Sequence, residues 1–190
     1  NAQLQDVITD EQAKFFIENG FLVIRNIVVG EELQLLQEQT MELVERGIAG
    51  VSGDEDFWYR NRTNGDRIYW RTEYLISKTE AGKALLGHPF ILRSVEKLQG
   101  RNFIPTWDSL VVKVPNNAAS VPWHRDAAVP VGCADPRPIF NVDFYLDPAD
   151  EKSCLWVIPG SNHWDAAKAE ERYSLPGFEF ADAVPVPMNA

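Results

Sequence analysis

The sequence predicts a single domain over residues 1–190, mainly β with added α: a helical layer over about 1–100 and a β core over about 101–190. Three observations predict it. Helix caps and 3.6-residue apolar spacing cluster in the first hundred residues. After Gly100 the character changes to short β-branched and aromatic runs divided by Pro, Gly, Asn and Asp. No repeat, low-complexity tract or linker divides the two parts. The helices are therefore expected to pack on one sheet of a double-stranded β-helix, the jelly-roll or cupin-like arrangement.

Thr9 with Gln12 forms a capping box, and Gly20 is a natural stop, which predicts a first helix between them. The run from Phe21 to Arg25 reads as a strand. A second helix is expected from about Glu31 to Arg46, with Leu33, Leu36 and Leu43 on one side and Gly47 just past its end. Residues 48–66 are rich in Gly, Asp, Asn and Arg and read as a long functional loop. Ile68 to Leu75 is aromatic and extended. Ser77 with Glu80 suggests a second capping box opening a helix toward Leu86, and a further helix runs from about Pro89 to Leu98, ending at Gly100. The expected strands are Phe103–Ile104, Ser109–Val114, Val121–His124, Ile139–Leu146, Cys154–Ile158 and Val184–Val186.

The bulk numbers exclude several classes. With 190 residues, 45% of them hydrophobic, the chain is long enough to bury a core. No apolar run approaches the roughly 20 residues of a membrane span, so no membrane association is expected. A net charge of -10 and a pI near 4.8 argue against nucleic acid as a partner. Arg60, Arg62, Arg67 and Arg71 cluster, but Asp54, Glu55, Asp56, Asp66 and Glu73 lie among them. Only Cys133 and Cys154 occur, too few for a disulfide framework, and no signal-like segment precedes the first helix, so the expected setting is cytoplasmic. The expected state is a monomer or homodimer.

Histidine is scarce: His88, His124 and His163 are the only three. In the segment PWHRD at 122–126, His124 and Asp126 are two apart, so at a strand end both side chains point to the same face. An imidazole nitrogen and a carboxylate oxygen suit iron(II), in the two-histidine, one-carboxylate arrangement that leaves positions open for an oxoacid and O2. By composition alone the spacing is a weak signal, and an ordinary surface His and Asp pair is the preferred reading of it. His88, before Pro89, suits a structural or capping role, and His163 follows the loop signal of Pro159, Gly160 and Ser161.

Three segments in order resemble the phytanoyl-CoA dioxygenase family of iron(II)/2-oxoglutarate oxygenases: NGFLVI at 19–24, PWHRD at 122–126 and SCLWVIPGSNHW at 153–164. The last resembles the family signature NGCLWVIPGSH, with Lys152 and Ser153 in place of Asn-Gly and Asn162 inserted before His163. The resemblance implies that His124 and Asp126 are metal ligands and that Fe(II), 2-oxoglutarate and O2 are used. It also implies hydroxylation of a C–H bond in a small organic molecule, with 2-oxoglutarate decarboxylated to succinate and CO2. Asp126 fills the position that is small in related halogenases, which disfavours halogenation. Desaturation, ring closure or epimerisation would use the same centre. His163 is placed by the resemblance in a loop outside the metal centre.

The resemblance further aligns Ser109 with a 2-oxoglutarate-contacting position and puts Arg71 in a segment that approaches the cosubstrate, and Asn141, on the expected strand Ile139–Leu146, is a further candidate for that contact. Each has a plainer alternative: Ser109 and Asn141 as solvent-facing strand residues, Arg71 in a surface ion pair. Trp58, Tyr59, Tyr69 and Trp70 are candidates for an aromatic wall over the site, with Gly50 to Gly65 as a lid. Trp123 should face away from the metal by strand alternation. The family's distal histidine and the arginine that holds the far carboxylate of 2-oxoglutarate lie on later strands, and neither occurs before Ala190. With Asn1 at the start and an extended segment at the end, the expectation is a chain cut short at its C-terminus. The alternatives are a catalytically inactive jelly-roll binding domain and a cupin-type metal enzyme that does not use 2-oxoglutarate.

Overall fold

The computed structural model describes residues 5–50, 55–61, 65–113, 121, 123–124, 139, 141–177 and 181–188. These fall into two compact units, one formed by residues 1–7 and 26–121 and the other by 8–25 and 122–190.

The first unit places a long helix against a three-stranded antiparallel sheet. The helix, α2, runs Gly30–Ala49, and the sheet order is β1 (Phe57–Asn61), β2 (Arg67–Glu73), β3 (Ser109–Val111). Leu36, Thr40, Leu43 and Gly47, at three- and four-residue spacing, form the buried stripe of α2. Leu43 meets Phe57 and Tyr69 in the core, with Val44, Tyr59, Leu75, Leu110 and Val112 packed around them. Gly47 lies inside the helix rather than beyond its end. A Cβ there would stand 2.6 Å from the Tyr69 ring, so glycine is needed for close approach, and Gly50 in the left-handed region (φ +83°) terminates the helix.

The expected loop over 48–66 contains β1. Its Phe57, Trp58 and Tyr59 alternate across the sheet, and the polar residues around them hid that period-two signal. Helices α3 (Leu75–Lys78), α4 (Glu80–Leu86) and α5 (Pro89–Gln99) follow β2. Thr79, not Ser77, caps α4: its extended backbone lets Oγ1 accept from the Gly82 N–H at 3.1 Å, while the Ser77 hydroxyl donates to the Tyr74 carbonyl in the preceding turn. His88 precedes α5 without making a cap hydrogen bond, and its Nε2 lies 4.0 Å from a Glu32 carboxylate oxygen.

In the second unit, helix α1 (Asp10–Asn19) has the expected capping box, with the Thr9 hydroxyl accepting from Gln12 N–H at 3.1 Å and Gln12 Oε1 accepting from Thr9 N–H at 2.8 Å. Among the described residues, the 21–25 run pairs in no sheet. Phe21 instead packs edge-on against Phe15 of α1 at 5.5 Å, and Leu22 and Val23 join them along one surface groove. Strands β4 (Leu155–Val157) and β5 (Val184–Val186) pair antiparallel, extended by a bridge between Ala149 and Met188. Between them stands a helix absent from the expected β half, α6 (Ala166–Ser174). Asp165 caps it by accepting from Lys168 N–H at 2.7 Å, ahead of an Ala- and Glu-rich run of good helix formers. Residues 103–104, 121, 123–124 and 141–146, expected to be strands, carry no strand among the described residues. No helix is long and apolar enough to cross a membrane among the described residues.

Candidate functional site

A β-bulge decides which side chains of β2 face outward. Phe57 pairs with Thr72 and Trp58 with Arg71, but Tyr59 pairs with Tyr69, so Trp70 is the extra residue opposite β1. Tyr69 and Thr72, three apart, consequently both turn into the core, where their hydroxyl oxygens lie 2.5 Å from each other. Burial pushes the Tyr69 phenol above its ordinary 10.0, against the opposing hydrogen bond to Thr72. Arg71 and Glu73 turn to the other face. Cross-strand partners share a face, so Trp58, opposite Arg71, and Ser109, opposite Glu73, stand there with them.

Arg71 is the centre of this outer face. Its guanidinium carbon lies 5.0, 4.6 and 5.1 Å from the ring centroids of Trp58, Trp70 and Trp107. Nη2 donates to Glu73 Oε1 at 2.6 Å, and the two side chains are only 19% and 14% exposed. Nε is buried and, among the described residues, has no hydrogen-bond partner. A buried N–H left without an acceptor costs about 1–3 kcal/mol. The cluster thus presents an oriented, largely desolvated cation with a donor to spare, the chemistry that receives a carboxylate. Trp58 and Trp107 remain 44% and 47% exposed, so the aromatic flank stays open to solvent.

The expected aromatic wall is divided by strand alternation. Trp58 and Trp70 flank Arg71, whereas Tyr69 is a core residue and Tyr59 packs against the core with its hydroxyl donating to the Gly47 carbonyl at 2.8 Å. Arg71 does form an ion pair, but a mostly buried one. The structure brings Arg71 and Ser109 onto one sheet face, Ser109 being half-buried at the first position of β3. In the second unit His124 and Asn141 are both exposed, and Trp123 is half-buried. Asp126 lies outside the described residues. Among the described residues, no three His, Cys, Asp or Glu side chains converge as a metal-binding group.

Residues 150–164 form a continuous hydrogen-bonded structure whose role sequence reasoning missed. Asp150 Oδ1 accepts from Ser153 Oγ and from the amides of Lys152 and Ser153 at 2.9, 3.0 and 3.1 Å. The Ser153 hydrogen bond, with these amides, holds the carboxyl below its ordinary 3.8. Cys154 is buried, and the Leu155 amide donates to Tyr145 Oη at 2.7 Å. Farther on, the Gly160 amide donates to Asn19 O at 2.9 Å and Asn162 Nδ2 to Ile17 O at 3.0 Å, while His163 Nε2 lies 3.2 Å from Glu18 O. The last carbonyls of α1, which no helical amide can reach, are satisfied by this turn. Gly20 (φ +80°) permits the approach, since a Cβ there would meet Asn162 at 2.8 Å. His163 therefore stands at a helix terminus, and the available signal was the Gly-Ser-Asn turn facing a helix that ends in Asn-Gly.

The family model for phytanoyl-CoA dioxygenase (PhyH) matches residues 16–190. The chain is 28% identical over 130 residues to human peroxisomal phytanoyl-CoA dioxygenase, an alignment covering 64% of this chain and 38% of the human protein. It is 24% identical over 199 residues to phytanoyl-CoA dioxygenase domain-containing protein 1 of Danio rerio, covering 83% of this chain and 67% of that protein. The crystal structure of EvdMO1 superposes with a TM-score of 0.70 at 25% identity, covering 94% of this chain and 41% of its own. AviO1 from Streptomyces viridochromogenes Tue57 does so at 0.70 and 22% identity, covering 100% and 82%, a likeness of fold alone.

Proposed function

The chain belongs to the phytanoyl-CoA dioxygenase family, and on that premise we propose that it is a non-haem iron(II)/2-oxoglutarate-dependent dioxygenase that hydroxylates a C–H bond of a small organic molecule. The single observation that carries this beyond family membership is on the outer face of the sheet. There Arg71, held among three tryptophans with Nε buried and lacking an acceptor among the described residues, shares a face with Ser109.

The residues fit the groups the family uses. His124 and Asp126 would hold iron(II) through an imidazole nitrogen and a carboxylate oxygen, a donor pair suited to that ion. Arg71 and Ser109 would hold a carboxylate of 2-oxoglutarate, the first through charge-assisted N–H donors and the second through its hydroxyl. Asn141 would add an amide donor. When bound, iron(II) and 2-oxoglutarate supply the activation of O2, with 2-oxoglutarate converted to succinate and CO2. The protein's part is to bind and orient: the bulge aims Arg71, the tryptophans keep water from its faces, and Trp58 and Trp107 offer apolar surface to a small organic ligand. A jelly-roll core housing the metal pair, in a soluble cytoplasmic protein, completes the proposal.

Equilibrium dialysis against iron(II) under anaerobic conditions tests the ligand assignment. Loss of a group that merely supports a ligand costs about 10–100-fold in metal affinity, so His124→Ala and Asp126→Ala should each weaken binding at least about tenfold. Unchanged affinity in both variants would remove the metal assignment.

A further inference from the structure

We propose that Glu73 is a positioning residue for the cosubstrate: it pins one arm of Arg71 so that the guanidinium's Nε edge is presented to a ligand carboxylate. This inference rests on the assignment of Arg71 to 2-oxoglutarate made above.

The geometry carries it in three steps. First, regular alternation beyond the bulge at Trp70 puts Arg71 and Glu73, two residues apart, on the same face of one strand, and the bulge makes that the outer face, so their meeting is imposed by a rigid element and not by a loop. Second, Glu73 engages the arginine at Nη2 alone, at 2.6 Å, and leaves Nε buried without an acceptor among the described residues. A guanidinium is a planar fork, so fixing one arm while Trp58, Trp70 and Trp107 bound the group fixes where the remaining N–H bonds point. Third, Glu73 stands directly opposite Ser109, which places an oriented cation and a hydroxyl on adjoining positions of one sheet face.

Two physical effects of removing Glu73 have opposite signs, which makes the proposal testable. Loss of the carboxylate raises the local positive charge and by itself favours an anion; loss of the anchor frees the guanidinium and disfavours it. Titration of the metal-free protein with glutarate and with 2-oxoglutarate, followed by tryptophan fluorescence and by calorimetry, reads the balance. The tryptophans around Arg71 report ligand arrival directly.

Glu73→Ala should weaken glutarate binding by about tenfold, the size of one lost orienting charge-assisted contact. Glu73→Asp keeps the charge but withdraws it by one methylene, and should show a similar loss. Glu73→Gln keeps an acceptor for Nη2 and should bind within about twofold of the parent or more tightly. In turnover, Glu73→Ala should raise KM for 2-oxoglutarate more than it lowers kcat. Arg71→Ala separates the possible failures. If it weakens glutarate binding while Glu73→Ala binds as well as the parent or better, the positioning role is overturned alone. If Arg71→Ala binds like the parent, or the parent binds neither acid, the cosubstrate assignment of Arg71 falls and the positioning role falls with it. Glu73→Ala and Glu73→Asp are compared with the parent by thermal unfolding, and if Glu73→Ala does not fold, the Asp and Gln pair decides.

Discussion

Tyr69 and Thr72 face each other across the buried side of one strand, their hydroxyl oxygens 2.5 Å apart, although a regular strand would send residues three apart to opposite faces. The bulge at Trp70 reconciles the two, and the same displacement turns Arg71 outward. Core packing and the candidate site are thus set by one backbone irregularity. Thr72→Val removes one partner of a fully buried pair and should destabilise the protein by about 1–3 kcal/mol. Urea unfolding of Thr72→Val, Tyr69→Phe and the double variant should show that the two losses are not additive. Additive losses would mean that the hydroxyls do not depend on one another.

Gly47 supplies a second constraint on the same ring. Replacing glycine by alanine inside a helix ordinarily gains about 1 kcal/mol. Here the new Cβ would stand 2.6 Å from Tyr69 carbons, and overpacking of that kind typically costs about 1–3 kcal/mol. Gly47→Ala should therefore lower the thermal midpoint despite the better helix propensity, whereas Gly47→Ala combined with Tyr69→Leu should recover part of the loss.

The turn at Asp150 should respond to acid in a defined direction. Hydrogen bonds from Ser153 and the neighbouring amides hold its carboxyl below the ordinary 3.8. The folded protein therefore binds that proton less readily than the unfolded chain, and the turn's contribution is present above 3.8 and lost as pH falls through the lower folded value. The amide resonances of Lys152 and Ser153 should hold steady above pH 4 and shift only below it, by about the ordinary carboxylate titration or lower. Asp150→Asn should abolish the acid-dependent shift.

Much of this was legible in the sequence wherever a local rule acts alone. The Thr9–Gln12 capping box, the Pro89 start and Gly100 stop of α5, and the short apolar runs that became β4 and β5 need only neighbouring residues. The His124 and Asp126 spacing gained meaning only beside two other family-like segments. What escaped depends on contacts distant in sequence. Gly47 resembled a helix stop until Tyr69 was placed against it, and β1 was concealed among polar residues because its pairing with β2 supplies the order. The run of aromatics around Arg71 gave no sign of a bulge that would leave both Trp70 and Arg71 outward between the buried Tyr69 and Thr72. Arg71 and Ser109 were named separately, and only strand register showed that they share a face.

The most direct measurement is succinate formed from 2-oxoglutarate by the purified full-length protein with iron(II) under air, quantified by mass spectrometry against a protein-free control. The expected result is iron-dependent succinate with an equal amount of CO2, abolished in Asp126→Ala and reduced in Arg71→Ala through a raised KM for 2-oxoglutarate. Succinate no greater than the control, or undiminished succinate from Asp126→Ala, would contradict it.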